Sequence, residues 1–391
     1  MLLEIDFCQV VRNPFLMSVA APSFVDSVEV PEATDLGSLP ASRFTNLAGW
    51  ILVAALIYAP WAFDSRTYRL ADGLAVQLTL AVVAWTVGLT RERRWPHVPV
   101  SVVLCTGSLI AIMWLGLWNA ASTFDPAADR FIPRTSLAAV PANVDARNGF
   151  PSAICLSSIL LAMVVTADLA VHETWRRRLL RTMGWTVLSV ILAGLILKTG
   201  AFPALERSLA QRPWSRGDVF GPLDYHGNVA TLINLSLPAL ALQAALARTI
   251  LVRALMLAAL SLLIFAVCLN MSRTGLGITL VSAGVLSSLI AREWRRHVVD
   301  LATAKRHGFF LAAIGLATIT ALSMLAATGR AQSVARLKTL WSEVSNPWNA
   351  RYLQDQAAWQ MVGLRPYFGG GVGSYKLLVQ QSSLQGQYLA G

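Results

Sequence analysis

The feature that most limits what this chain can become is its alternation of long apolar runs with short basic ones. Apolar stretches of about 15 to 23 residues, close to what a helix needs to cross a bilayer, recur along the sequence. Between them stand runs such as Arg91-Glu92-Arg93-Arg94 and Arg176-Arg177-Arg178. A segment in lipid must satisfy its backbone polar groups internally, and a helix does so. Only 14% of the 391 residues are charged and 55% are hydrophobic, whereas a soluble domain carries roughly a quarter charged. The fold class expected is therefore an all-α integral membrane protein.

About nine transmembrane helices are expected, near 47–63, 70–90, 98–118, 151–171, 182–197, 227–247, 254–270, 276–290 and 308–328. Residues 1–46, with Pro22, Pro31 and Pro40, read as a loosely ordered tail, 47–328 as a polytopic membrane domain, and 329–391 as the start of a large loop. The even-numbered connections hold about 14 Lys and Arg in roughly 40 residues, and the odd-numbered ones about 10 in roughly 72. The denser set belongs in the cytoplasm, which puts the N-terminus inside and the long loops 119–150 and 198–226 outside. The net charge of +11 is explained by these orienting loops. No basic stripe alternates with aromatics, so no nucleic-acid partner is expected. Membrane lipids are the expected surroundings.

The four cysteines carry no metal or disulfide spacing. Cys105, Cys155 and Cys268 lie in apolar spans and read as small packing residues. Asp125 and Asp129 flank Pro126 in a loop, where acids are usually just solvated.

Three segments carry candidate chemistry. In the turn Met271-Ser272-Arg273-Thr274-Gly275, Arg273 lies close to lipid depth, where an unpaired charge is costly. Its guanidinium suits bidentate grip of a phosphate, or else it snorkels at a helix end. The stretch from Arg216 to Asn228 packs polar groups at the mouth of a span, a place suited to anions. There His226 is a candidate acid or base or a solvated interfacial residue, and Asn228 a ligand or a helix cap. The last segment runs from Arg351 through an amphipathic helix to Pro366 and Gly369-Gly370-Gly371-Val372-Gly373-Ser374-Tyr375. Glycines at alternate positions let a backbone turn sharply and approach a ligand, or make a flexible loop.

Taken in order, these segments resemble the bacterial O-antigen ligase and polymerase family of membrane glycosyltransferases. The first matched set is Arg216, Gly217, Phe220, Gly221, Pro222, Asn228 and Val229-Ala230, with Leu237-Pro238 further on. The second is Ser272, Arg273, Thr274 and Gly275. The third is Arg351, Pro366, Gly369, Gly371, Gly373, Ser374 and Tyr375. The match covers roughly residues 210 to 380.

The resemblance implies a GT-C-like helical fold with a large periplasmic loop, at the bacterial inner membrane. It implies a glycan donor linked to undecaprenyl pyrophosphate, and as acceptor a hydroxyl of lipid A core, protein or growing polysaccharide, with no cofactor. Arg216, Arg273 and Arg351, with Asn228, Gly371 and Gly373, are then substrate-binding, and a histidine acts as base. The family's usual histidine lies beyond the glycine run, where this chain has none up to Gly391. The expectation is of a C-terminally truncated member, the alternatives being an enzyme inactive as it stands or His226 as substitute base, with poor order from about Ser374 onward. A transporter or flippase of lipid-linked saccharides is the competing class. It would show polar residues at span centres, whereas Asp72 and Asp168 fall near span ends.

Overall fold

The computed structural model describes residues 42–62, 68–125, 127–128, 130–137, 139–198, 222–223, 226–247, 249–269, 275, 277–285, 288, 350–364, 367–375 and 378. The tail to residue 41, Arg216, Arg273 and the expected span 308–328 lie outside these residues.

Eight helices and one hairpin make up the named elements. They are α1 (Arg43–Ala62), α2 (Tyr68–Glu92), α3 (Val100–Trp118), β1 (Ser122–Asp125), β2 (Arg130–Pro133), α4 (Ala146–Ala170), α5 (Glu173–Lys198), α6 (His226–Leu246), α7 (Ile250–Leu269) and α8 (Ala350–Leu364). Residues 277–285 are also helical. Five helices are long and apolar enough to cross a membrane, by length and composition: α1, α2 from Asp72, α3, α4 and α5 to Leu197. The molecule is thus a mostly helical membrane protein.

The first five expected spans coincide with α1 to α5, with one instructive difference. Helix α5 begins nine residues before the expected start at 182 and takes in Arg176, Arg177, Arg178 and Arg181. The basic run is helical because arginine is a good helix former. Glu173 pairs with Arg177 one turn on, and the Arg178 guanidinium stacks over Trp50 and Trp175 at 5.2 and 4.9 Å. A cation at a helix end reaches the interface along its own stem, so a basic run need not be a loop.

Short connections, Val171-His172 between α4 and α5 and Ala247 to Thr249 between α6 and α7, force antiparallel neighbours. One core joins α1, α2, α4 and the start of α5 through Leu52, Leu78, Trp85, Val165, Leu169 and Trp175. A second joins α5, α6 and α7 through Ile191, Ile233, Leu240, Leu263 and Val267. Without water to expel, helices in lipid associate by close approach, which small residues permit. Gly49 shows it: a Cβ there would sit 2.4 Å from the Trp175 ring.

The hairpin departs from an all-α fold. β1 and β2 pair antiparallel, Ser122 opposite Pro133 and Asp125 opposite Arg130, and Phe124 packs on Phe131 at 5.2 Å. Helix α3 departs from its neighbours in another way, since only 11% of its span is buried. Cys105 is exposed on it, so that thiol does not pack in a core as the sequence suggested.

Candidate functional site

Two polar assemblies hold the described parts of the candidate segments. The first stands where α3 ends and α4 begins. Asp145 caps α4, its carboxylate accepting from the backbone N–H of Arg147 and Asn148, from Phe124 N at 2.9 Å and from Asn148 Nδ2 at 2.6 Å. A carboxylate is favoured there because it meets unpaired N–H groups at the positive end of the helix dipole. Asn143 is buried beside it. Its backbone N donates to Gly116 O at 2.7 Å and its carbonyl accepts from Ala121 N at 2.8 Å, which ties the loop to the last turn of α3.

The glycine run closes over this loop. Asn143 Nδ2 donates to Val372 O at 3.0 Å, Ser374 Oγ donates to Asn143 Oδ1 at 2.5 Å, and Val144 N donates to Gly370 O at 3.0 Å. Gly369, Gly371 and Gly373 have φ of 65°, 84° and 76°, the left-handed region that side chains disfavour. A Cβ on Gly371 would lie 2.7 Å from the Asn143 side chain, and one on Gly373 would lie 2.9 Å from Asn148 O and Ser152 Oγ. On the other side, a Cβ on Gly149 would meet Asn143 Nδ2 at 2.2 Å. The Asn143 amide is therefore wedged between two glycines. The partner that Gly371 and Gly373 admit so closely is the chain itself. Ser374 is 1% exposed, and Leu378 packs with Ala357 and Met361 against Val144. Ser374 and Leu378 are thus held by the hydrogen bond to Asn143 and by burial on α8, while most of the stretch beyond, expected to be poorly ordered, lies outside the described residues.

The second assembly joins α6 to Gly275 and the helical residues 277–285. Asn234 Nδ2 donates to Gly275 O at 3.0 Å. The Thr279 hydroxyl lies 2.7 Å from both the Asn234 side-chain oxygen and Gly275 O. Pro238, four residues after Asn234, lacks the N–H that would bond the Asn234 carbonyl. This brings together the first and second matched segments, 41 positions apart at Asn234 and Gly275. The third, the glycine run, is seated on the first assembly instead.

Arg216 and Arg273 lie outside the described residues. His226 opens α6 and Arg351 is the second residue of α8, but their side chains are likewise outside. Asn228 is exposed in the first turn of α6, two residues past its start, and so is not the residue that caps it. Asp125 Oδ1 accepts from Ala127 N in a local turn. Among the described residues no group of three or more His, Cys, Asp or Glu is placed to hold a metal. Asn143, Asp145, Asn234 and Thr279 were not legible as site residues, since the amides sit in an unremarkable loop and span.

A third polar cluster lies at the opposite end of α4. Asp168, fully buried, accepts from Trp85 Nε1 at 2.7 Å, from both Arg94 terminal nitrogens at 3.1 and 3.0 Å and from His97 N at 2.6 Å. Arg94 also pairs with Glu92, which accepts from Ser42 N and Thr45 Oγ1. Burial opposes the Arg94 charge, but its hydrogen bonds to Asp168 and Glu92 outweigh this and hold its pKa above the usual arginine value. Every member is spoken for within the protein, so the cluster clamps α1, α2 and α4 together. It is not a charge standing open in a transport path.

No family model, curated protein or solved structure matches this chain. The fold and composition define it as a helical membrane protein, and its chemistry rests on its own residues.

Proposed function

We propose that this chain is a polytopic glycosyltransferase that moves a glycan from undecaprenyl pyrophosphate to an acceptor hydroxyl at the outer face of a bacterial inner membrane. The observation that carries the reading is the Asn234–Gly275–Thr279 assembly. Asn234 stands eight residues into α6, about 12 Å along the axis from the helix mouth. Gly275, which closes the Ser-Arg-x-Gly match in the sequence, is bonded at that depth. Arg273 stands two positions before Gly275 in the sequence, and its guanidinium has the fork that grips a pyrophosphate bidentately.

In the reaction the acceptor oxygen attacks the anomeric carbon and the bond from that carbon to the pyrophosphate oxygen breaks. The hydroxyl proton passes to a base, and polyprenyl pyrophosphate leaves with the electron pair. Arg273 and Arg216 are assigned to the departing charge, His226 to the proton, and Arg351 and Asn228 to the glycan. Gly371 and Gly373 are assigned to shaping the loop rather than to touching substrate, because Asn143, Asn148 and Ser152 occupy the space beside them.

The test is transfer from an undecaprenyl-pyrophosphate oligosaccharide in membranes containing the full protein. Arg273→Lys is expected to lower transfer by roughly 10²-fold, because an ammonium lacks the bidentate fork, with insertion unchanged. Full transfer by Arg273→Ala would overturn the pyrophosphate role.

A further inference from the structure

We infer that the end of α8 and the glycine run lie in the membrane–water interface, with their exposed aromatic side chains set among lipid headgroups. This placement does not depend on the chemistry proposed above.

The depth follows from bonded contacts. Helix α3 has 19 residues, about 28 Å at 1.5 Å per residue, which matches the hydrocarbon thickness of a bilayer. Its two ends therefore stand at the two interfaces, and Trp95 and Trp118, 89% and 70% exposed, mark them as interfacial tryptophans do. At the Trp118 end, Gly116 O accepts from Asn143 N, and Val144 N donates to Gly370 O. Asn143 Nδ2 reaches Val372 O. The glycine run thus sits one residue's breadth from the last turn of α3, at the depth of Trp118.

The side chains exposed there are of the kind this layer selects. Trp359, Tyr367, Phe368 and Tyr375 are 76%, 90%, 53% and 52% exposed, and Leu115 and Trp118 at the end of α3 are exposed as well. Between Gln356 and Tyr375 the sequence carries a single charged residue, Arg365. One turn earlier Asp355 is exposed on the same side of the helix as Trp359, so α8 enters the interface with its C-terminal half. Tyrosine and tryptophan gain at this level because the ring meets acyl chains while the O–H or N–H meets water. Aromatics standing in bulk water would gain neither.

The test is nitroxide accessibility in full-length protein with its four cysteines replaced, reconstituted in phosphatidylethanolamine and phosphatidylglycerol nanodiscs. Labels go at Trp359→Cys, Tyr367→Cys and Phe368→Cys, with Leu109→Cys at mid-α3 and Asp355→Cys as references. The ratio of oxygen to nickel-chelate accessibility at 359, 367 and 368 is expected severalfold above that at 355 and below that at 109. Ratios equal to that at 355 would put the segment in water and overturn the proposal. Exclusion of both quenchers, with or without dipolar broadening between labels, would mean a protein partner or a second copy covers the face, and would overturn it equally.

Discussion

Ser374 donates its hydroxyl to the side-chain oxygen of Asn143 across 231 positions of sequence, and the same amide donates on to Val372 O. One buried asparagine thereby fixes both the conformation of the glycine run and its place over the start of α4. Removing either side of this contact leaves a buried polar group without its partner, which costs more than the bond itself contributes.

Asn143→Ala is accordingly expected to loosen residues 367–375 without unfolding the helices. Loss of the two hydrogen bonds to the glycine run and the stranding of the Ser374 hydroxyl amount to about 2 kcal/mol, or roughly 30-fold faster amide exchange in that segment. Hydrogen exchange by mass spectrometry on the protein in detergent reads this directly, and unchanged exchange at 367–375 would contradict the contact.

The glycines divide by environment. Gly371→Ala places a Cβ 2.7 Å from Asn143 at a φ of 84° and is expected to destabilise the segment by roughly 1–3 kcal/mol. Gly363, inside α8, has open space where its Cβ would stand, so Gly363→Ala should stabilise that helix by up to about 1 kcal/mol. Exchange rates of the two variants should move in opposite directions.

Asp168→Asn removes the charge that Arg94 meets within the packed ends of α2 and α4. Breaking a buried pair from one side typically costs about 3–5 kcal/mol, so the melting temperature in detergent should fall by several degrees. A melt superimposable on wild type would show that the clamp contributes nothing.

His172, in the α4–α5 connection, has its pKa lowered from the ordinary 6.5, first by burial and then by the nearby Arg94 charge, against opposing pulls from Asp168 and Glu92. A lowered folded value means the folded state resists protonation. The stabilisation is therefore whole above pH 6.5 and is lost as pH falls through the lowered value. Between pH 7 and 5, wild type should lose more thermal stability than His172→Gln, and equal losses would exclude the effect.

The bond between Val144 N and Gly370 O also requires that the two loops share one side of the membrane. Ala139→Cys and Asp355→Cys should react together with an impermeant maleimide, and Thr174→Cys, across α4, should react from the other side. Labelling of 139 and 355 from opposite sides would break the link between loop and glycine run.

The sequence by itself determined the membrane class and the first five spans, because crossing lipid forces long apolar helices whatever packs beside them. It also marked the glycines, since alternate Gly from 369 to 373 serves little else than unusual backbone. What touches those glycines was decided by tertiary structure alone. Asn143 and Asn234 are ordinary residues in a loop and a span, and their importance comes from partners 229 and 41 positions away. Hydrogen bonds of that range leave no periodicity or local composition to read. The start of α5 differs from the expected span because local and tertiary contacts act together: Glu173 and Trp175 on the same helix, and Trp50 brought close by folding, let the basic run stay helical.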